Sequence, residues 1–384
     1  MKSALTVAFA EKPDSDGLAE FRDLLLGWFR QYRRDLPWRK DREPYRIWIS
    51  EIMLQQTRVA AVIPYYERFL ARFPNVKSLA DAPEDDVLRL WSGLGYYSRA
   101  RNLQSAARQI CAEHGGEFPR TREKLLALPG IGDYTVAAIL SIALGEQSAV
   151  LDGNVARVIA RLEATRGDLR EPDQWRQLQA TARRLLAPEK AGDWNEAMME
   201  LGATLCVPRN PQCLLCPIAN FCEARRLGIA GSIPAKRKKR ATVAVHLVSA
   251  VFLDARGNTL LLPPPAGSDR GRADDHVPSL VAKLWHFPTI SAPEGSDQAL
   301  RELLQGTLKI KNANPVQSRL LEKVRHTVTY RTVSVAAYLV QVGQLPEISG
   351  ARQTTLEAAD RLSISNLTRK ILRQALKHVA IAKK

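Results

Sequence analysis

The sequence predicts a multidomain protein with an all-α first half and an α+β second half. Its 384 residues suffice for about two domains. Apolar residues recur at helical spacing up to about residue 225, and beyond a basic stretch they form β-branched runs instead. We therefore expect four parts in chain order, which are an N-terminal tail at 1–19, a helical domain at 20–225, a basic interdomain linker at 226–243 and a second domain at 244–384.

The first half is predicted to consist of helices. The apolar positions between Phe21 and Tyr32 have helical spacing, and the proline of LPWR (36–39) ends that helix. The segment PYRIWISEIMLQQTRVAAVIPYY begins at Pro44 and is apolar on most sides, which predicts one buried helix. Helical spacing continues through 78–112, 122–144, 153–165 and 174–187.

The second half is predicted to mix strands and helices. VAVHLVSAVFLDARGNTLLLPPP reads as strands around a Gly-Asn turn, and TVTYRTVSVAAYLVQV is another long β-branched run. A terminal helix carries Leu367, Ile371, Leu372, Ala375, Leu376 and Val379 on one face. The preceding run KRKKR (236–240) fits a solvated linker, a nuclear-localisation signal or a phosphate contact equally well.

The chain is strongly basic, with a formal net charge of +16. Such a charge favours a polyanionic partner, either nucleic acid or an acidic membrane surface. No apolar run approaches the roughly 18 residues of a membrane span. The apolar stretch in MKSALTVAFA is too short for a typical signal peptide, so we expect a cytoplasmic protein (nucleoid-associated if bacterial).

The segment LLALPGIGDYTVAAILSIALG (125–145) joins two apolar helices through a sharp turn. Gly130 and Gly132 flank one apolar residue, and their bare amides at a helix start suit a phosphate group. This pattern is typical of a helix–hairpin–helix that clamps the DNA backbone, and the alternative is a tight turn between core helices.

Four of the five cysteines lie within seventeen residues, at Cys206, Cys213, Cys216 and Cys222. A disulfide framework does not suit a long, helix-rich cytoplasmic chain, and a zinc site normally uses two C-x(2)-C pairs, of which there is one here. Four thiolates with unequal gaps favour a 4Fe–4S cluster. Cys111, in an alanine-rich helix, reads as a core residue.

The hairpin followed by C-x(6)-C-x(2)-C-x(5)-C resembles the endonuclease III superfamily of DNA base-excision glycosylases. The resemblance implies that the cluster shapes a DNA-binding loop that includes Arg209. Cleavage of a base–sugar bond needs one protonated carboxyl for the leaving base and one ionised carboxylate for the sugar cation.

Two acidic residues fit these two roles. Glu51 has apolar neighbours and no cation one turn away, and burial without a counter-ion raises the pKa of a carboxyl group. Its alternative is a solvent-facing side chain. Asp152 precedes a helix, where an N-cap carboxylate is held ionised by the positive end of the helix.

SEIMLQQT (50–57) and LDGNV (151–155) resemble signature segments of the adenine-DNA glycosylases, the MutY family. The similarity continues through GLGYYSRARNL, ALPGIGDYTVAAI and NEAMMELGATLC, covering nearly all of 20–225. It implies that Glu51 protonates adenine in a mispair with 8-oxoguanine or guanine and that Asp152 stabilises the sugar cation.

The same resemblance assigns further residues. Asn154 would orient Asp152, and Tyr134 would lie against the reacting sugar. The adenine pocket would be lined by Arg34, Trp38, Arg39, Leu54 and Glu196. Gln56 and Tyr96 would wedge into the base stack. The alternatives are that Trp38 and Leu54 pack in the core and that the two arginines contact phosphates.

Bifunctional members of the superfamily carry a lysine after GIGD, where this chain has Tyr134, which implies base removal without strand cleavage.

The second domain resembles a Nudix fold that reads 8-oxoguanine, with KLWHFP (283–288) as a signature. ALRELLQGTL (299–308) lacks the clustered acids of a magnesium-dependent Nudix hydrolase. In the lesion-sensing loop the family commonly has Phe-Ser-His, where this chain has Val328, Thr329 and Tyr330. Thr329 keeps a hydroxyl, but an aromatic residue and an imidazole are replaced. The sequence therefore leaves open whether the protein prefers 8-oxoguanine over guanine.

Two other functions fit parts of the sequence. One is a thymine-mismatch or oxidised-pyrimidine glycosylase of the same superfamily, against which Tyr134 and the second domain argue. The other is a non-catalytic iron–sulfur protein that binds DNA or senses redox state. The expected partner is double-stranded DNA carrying a mispair, bound by a monomer.

Overall fold

The computed structural model describes residues 15–235, 241–264, 284–292, 297–308, 317–328 and 330–382. The chain divides into two compact units, of which the first comprises 1–81 and 102–238 and the second 82–101 and 239–384. Residues 82–101, predicted within the helical domain, thus cluster with the second unit, and the predicted domain boundaries stay a prediction. No helix in the described ranges is long and apolar enough to cross a membrane.

Before the first strand, the regular elements are α-helices. They are α1 Ser15–Tyr32, α2 Pro44–Leu54, α3 Val59–Arg72, α4 Val76–Ala80, α5 Glu84–Trp91, α6 Ser98–His114, α7 Arg122–Leu126, α8 Asp133–Ala138, α9 Gly153–Leu162, α10 Pro172–Leu185, α11 Ala191–Thr204 and α12 Glu223–Arg226. Short 3-10 turns occur between several of them, and a π-helix over Ile139–Ala143 extends α8.

The prediction of one continuous helix after Pro44 is wrong. α2 ends at Leu54 and α3 begins at Val59, because the polar residues between them form a turn. Gln56 adopts a left-handed backbone with φ of 56°, which a continuing α-helix does not allow. The apolar stretches at 78–112 and 122–144 are likewise divided into shorter helices.

The predicted hairpin forms between α7 and α8. Gly130 has φ of 78°, and a Cβ atom there would lie 2.8 Å from the Cβ atom of Asn102, so only glycine fits. Gly132 is the N-cap of α8 and borders open space. The hairpin therefore presents glycine backbone at the start of α8, as predicted.

The core of the first unit surrounds α9, which is buried from Val155 to Leu162. Aromatic rings of Phe21, Trp194 and Phe221 pack beside it. Asn195 on α11 is buried and donates to Ser141 Oγ at 2.8 Å and to the Ser148 carbonyl at 2.7 Å. These contacts tie α11 to the π-helix and to the loop that precedes α9.

The second unit contains a five-stranded sheet and a two-stranded sheet. The strands are β1 Val243–Leu253, β2 Asn258–Leu261, β3 Thr289–Ser291, β4 Gln317–Leu320, β5 Val324–Val328, β6 Arg331–Gln341 and β7 Arg352–Thr355. The larger sheet has the order β3-β1-β6-β4, with β5 also paired to β6, and β2 pairs with β7. β1 and β6 run parallel and the other pairs are antiparallel.

Alternation along β6 sends side chains to two faces of the sheet. Val333, Val335 and other odd-numbered residues pack with α14 (Leu356–Ala359) and α15 (Asn366–Ala382). Tyr338 and Val340 pack with the segment that holds α13, Asp297–Arg301, on the opposite face. The predicted terminal helix and the turn before Asn258 are confirmed.

Candidate active site

One cavity of about 460 Å³ collects most of the predicted site residues in the first unit. Ligand pockets usually have volumes of about 300–1,000 Å³. Ten predicted residues line it, namely Arg34, Trp38, Arg39, Glu51, Leu54, Gln56, Tyr134, Asp152, Asn154 and Glu196. Residues from α2, α8, α9 and α11 thus meet although these helices are far apart in the sequence. Arg39 and Glu196, which are 157 positions apart, form an ion pair of 2.9 Å in the cavity wall.

Glu51 lies on α2 with only 5% of its surface exposed. Burial, partly offset by a hydrogen bond from Tyr134, raises its pKa from 4.5 to about 7. The negative charges of Asp152 and Glu196 add to the rise, and Arg39 opposes it. Glu51 therefore carries a proton in a large fraction of molecules near neutral pH.

Tyr134, on the first turn of α8, donates its phenolic hydrogen to Glu51 Oε2 at 2.6 Å. The same hydroxyl lies 3.3 Å from Met199 Sδ on α11. Burial and the neighbouring carboxylates raise the pKa of Tyr134 well above 10, so the phenol stays protonated and acts as a donor.

Asp152 is the N-cap of α9, as predicted. Its Oδ1 accepts from the backbone N–H of Asn154 at 2.9 Å and of Val155 at 2.7 Å, and its Oδ2 accepts from Asn154 Nδ2 at 3.1 Å. The sequence predicted that the helix N-terminus holds this carboxylate ionised. Burial, however, outweighs these hydrogen bonds and raises the pKa of Asp152 above its usual 3.8.

A second acidic pair binds the two predicted arginines. Glu200 accepts from Arg34 Nε at 2.7 Å and from Arg39 Nη2 at 3.0 Å, and Glu196 accepts from Arg39 Nε at 2.9 Å. Burial raises the pKa of Glu196, whereas at Glu200 the arginines outweigh burial and lower the pKa. The arginines are thus partnered inside the cavity wall, which disfavours the alternative of plain phosphate contacts.

Trp38 combines both predicted alternatives. It is 6% exposed and packs edge-on against Tyr66 with ring centroids 5.5 Å apart, yet it also borders the cavity. Leu54 ends α2 and lines the cavity, beside the left-handed turn that carries Gln56. Trp38 therefore serves as packing and as cavity wall, and Leu54 forms part of the cavity wall.

The four clustered cysteines line a separate cavity of about 30 Å³. Arg161 donates to Cys206 Sγ at 3.2 Å. Burial raises the pKa of the Cys216 thiol to about 12. No group of three or more His, Cys, Asp or Glu side chains in the described residues is placed to hold a single metal ion. Four sulfurs around one cavity fit a cluster, in which each thiolate binds its own iron.

α9 connects the two cavities through its buried arginines. Arg157 donates to Asn154 Oδ1 at 2.9 Å and to the Cys206 carbonyl at 2.9 Å. Arg161 also donates to the Val207 carbonyl at 2.9 Å. Hydrogen bonds therefore join the loop that begins at Cys206 to α9, the helix whose N-cap is Asp152.

The residues predicted to contact DNA lie on several different segments of the chain. Arg209 is exposed in the cysteine loop, and Gly130 and Gly132 lie at the hairpin. Tyr96 belongs to the second unit and is 46% exposed. Thr329 lies outside the described residues, as does the run 236–240.

Glu200 and Met199 also line the cavity and contact predicted site residues, but neither was predicted from the sequence. Glu200 has 1% of its side chain exposed and binds both arginines. Met199 contacts the Tyr134 hydroxyl. Both belong to NEAMMELGATLC, and their position one turn after Glu196 was the available signal.

Comparison with known proteins shows extensive similarity. The HhH-GPD superfamily base excision DNA repair proteins match residues 49–188, and the iron-sulfur binding domain of endonuclease III matches residues 206–222. The adenine DNA glycosylase of Homo sapiens is 36% identical, over 92% of this chain and 73% of that protein. The adenine DNA glycosylase of Buchnera aphidicola subsp. Baizongia pistaciae is 38% identical, over 87% and 90%. The structure of a thermostable thymine-DNA glycosylase is 31% identical, over 55% of this chain and 97% of that one, with a TM-score of 0.51.

Proposed function

This chain belongs to the adenine DNA glycosylase family, and from that premise we propose that it excises adenine mispaired with 8-oxoguanine or guanine and leaves an abasic site. It is an N-glycosyl hydrolase of base excision repair that binds DNA and carries a 4Fe–4S cluster. The observation that supports the proposed chemistry is the meeting of Glu51, Tyr134 and Asp152 at one cavity.

In the first step, Glu51 gives its proton to the ring of an adenine turned out of the duplex. The bond between the sugar C1′ and the base nitrogen then breaks, and its electron pair leaves with the protonated base. A pKa of about 7 suits this role, because the acid is partly protonated at neutral pH and strong enough to release its proton.

In the second step, the ionised Asp152 stabilises the positive charge that develops on the sugar. Its three hydrogen bonds hold the carboxylate in one orientation while its charge is used. Water then adds to C1′ and returns a proton to Glu51, so that the acid is restored and the products are free adenine and an abasic site.

The proposed reaction stops at the abasic site. Strand cleavage by bifunctional relatives requires an amine that attacks the sugar, and none of the described residues that line the cavity is a lysine. Tyr134 occupies that position with a phenol whose pKa is raised well above 10, so it is not an ionised nucleophile either.

The cluster would be held by Cys206, Cys213, Cys216 and Cys222, and it supplies a fixed, cross-linked fold for the loop when bound. Arg161 and Arg157 tie that loop to α9, and the loop holds Arg209 exposed to solvent, where it is available for phosphate contacts.

For the second half we propose a Nudix-like domain that reads 8-oxoguanine opposite the adenine. The sheet with helices on both faces is compatible with that fold. Leu304 and Gln305 stand where a magnesium-dependent hydrolase would need acids. The proposal includes a monomer that works in the cytoplasm.

The test is a glycosylase assay on duplexes with adenine opposite 8-oxoguanine, guanine or cytosine, and with thymine opposite guanine. We expect adenine release opposite 8-oxoguanine and guanine, with strand breaks only after alkali. Asp152→Asn should slow release about a hundredfold or more. Asp173→Asn, which also changes an acid in the first turn of a helix but is exposed, serves as the matched control. Release of thymine alone, or intact DNA in every lane, would rule out the proposed function.

Borohydride trapping tests the absence of strand cleavage. Wild-type protein should give no covalent DNA adduct, whereas Tyr134→Lys places an amine beside Asp152 and should give a trapped fraction. A trapped adduct with wild-type protein would contradict the monofunctional mechanism.

A further inference from the structure

Tyr96 lies in a turn whose backbone needs support. Gly93, Gly95 and Tyr96 have φ values of 111°, 76° and 49°, and the left-handed region is unfavourable for tyrosine. Trp91 Nε1 donates to the Gly95 carbonyl at 3.2 Å, and the Arg99 guanidinium lies 5.6 Å from the Tyr96 ring centroid. These contacts order the turn internally, but they do not attach it to the rest of the second unit.

Attachment comes first from Asp85, in the first turn of α5. Its Oδ1 accepts from Ser363 Oγ at 3.1 Å and from Trp285 Nε1 at 3.4 Å. The two donors are themselves joined, because the Trp285 backbone N–H donates to the Ser363 carbonyl at 3.1 Å. Ser363 is 2% exposed, so its hydroxyl is held at one place.

Ser92, at the other end of α5, makes the second attachment. Its hydroxyl donates to the Ile364 carbonyl at 2.9 Å and accepts from Arg369 Nη1 at 3.0 Å. Arg369 Nε also binds Asp360 Oδ1 at 2.7 Å, which fixes the guanidinium. Asp85 and Ser92 are seven residues apart, which is two helical turns, so both reach from the same face of α5.

From these contacts we propose that Asp85, Ser92, Ser363 and Arg369 form an anchor that positions Tyr96. None of the four is expected to touch the substrate; they are positioning residues that act through the turn 93–97. The inference rests on the proposed function and on the role that the family resemblance implies for Tyr96, which is to wedge into the base stack beside the base opposite the adenine. In that case, the second half of the chain affects the choice of opposing base through Tyr96 as well as through its own loop.

The anchor is tested first without DNA, by hydrogen exchange of the amides of residues 93–97 in the full-length holoprotein. A hydrogen bond to a charged group is worth enough to change local opening about tenfold. Asp85→Ala and Ser92→Ala should therefore each speed exchange in this turn about tenfold. Asp86→Ala is the matched control, because it removes an acid from the same first turn whose ion-pair partner is Arg89 of α5 itself.

The consequence for selectivity is tested by single-turnover adenine release opposite 8-oxoguanine and opposite guanine. Ser92→Ala and Asp85→Ala should lower the ratio of the two rates about tenfold, and Asp86→Ala less than about twofold. In a Tyr96→Ala background the anchor variants should have no further effect on the ratio, because their route is already removed.

The outcomes separate the two proposals. Unchanged hydrogen exchange at 93–97 in both anchor variants would overturn the anchor. It would also be overturned if adding Asp85→Ala or Ser92→Ala to Tyr96→Ala lowered the ratio of the two rates as much as in the wild-type background. A wild-type protein that releases no adenine would overturn the proposed function, while the exchange result would still decide whether the anchor exists.

Discussion

Replacing Tyr134 with phenylalanine gives the most direct test of the acid–base assignment. The change keeps the ring and removes the hydroxyl that donates to Glu51 Oε2 at 2.6 Å. That hydrogen bond lowers the pKa of Glu51 from the higher value that burial alone would set. A hydrogen bond to a charged group contributes about 1.5–3 kcal/mol, and 1.36 kcal/mol corresponds to one pKa unit. The pKa of Glu51 should therefore rise from about 7 to about 8 or slightly higher.

The assay is single-turnover adenine release from about pH 5 to about pH 9.5. Because the protonated form of Glu51 is the active one, the rate should fall on the alkaline side as Glu51 loses its proton. The midpoint of that fall should lie near 7 in wild-type protein and about one pH unit higher in Tyr134→Phe. The midpoint is informative even if the variant is slower at every pH.

Two controls isolate the hydrogen bond. Tyr45→Phe makes the same chemical change in a buried tyrosine whose hydroxyl donates to the Phe73 carbonyl, and it should leave the midpoint in place. Met199→Leu removes the sulfur that also contacts the Tyr134 hydroxyl, and it should produce no upward shift. An alkaline midpoint that stays the same or falls in Tyr134→Phe would refute the assignment of Glu51 as an acid restrained by this phenol.

Three further predictions concern stability and the cluster. Glu51→Gln should stabilise the protein more at pH 8 than at pH 5, by up to about 3 kcal/mol. The reason is that the pKa of Glu51 is raised from 4.5 to about 7 in the folded protein, so the carboxyl lowers the free energy of unfolding as pH rises through that range. Equal shifts in melting temperature at both pH values would contradict this. Gly202→Ala puts a Cβ atom 2.7 Å from that of Asn154 and should cost about 1–3 kcal/mol and slow adenine release, whereas Gly27→Ala, on α1 with open space, should stabilise by about 0.5–1 kcal/mol in the same thermal unfolding assay. Cys216→Ser should lower the iron content per chain and weaken binding to duplex DNA, and a variant with full iron content and unchanged affinity would contradict the assigned ligand set.

Local sequence patterns predicted much of the fold because they depend on neighbours along the chain. The hairpin at Gly130, the N-cap at Asp152 and the terminal helix followed from glycine geometry, capping chemistry and periodicity. The continuous helix from Pro44 did not, because its apolar run conceals a turn at Gln56 whose left-handed backbone leaves no mark in the hydrophobic pattern.

The pKa shifts of the two site carboxyls were predicted only in part from the sequence. Apolar neighbours of Glu51 predicted its raised pKa, but the restraining donor, Tyr134, is 83 residues away in sequence. At Asp152 the helix terminus was predicted to dominate, whereas burial by elements from other parts of the chain outweighs it. Desolvation depends on every group that packs around a carboxyl, and most of those groups come from distant parts of the sequence. The local sequence therefore does not determine the pKa.

By itself, the sequence determined the chemistry available to this protein. It specified two candidate acids, a tyrosine in place of a catalytic lysine, four clustered thiols and a strongly positive net charge, since these depend on which residues are present. The tertiary structure alone decided that Glu200 holds the two arginines, that α9 joins the acid site to the cysteine loop, and that residues near 285 and 363–369 hold the turn of Tyr96. Such contacts join residues separated by 49 to 278 positions, and they form only when packing brings distant helices and loops together.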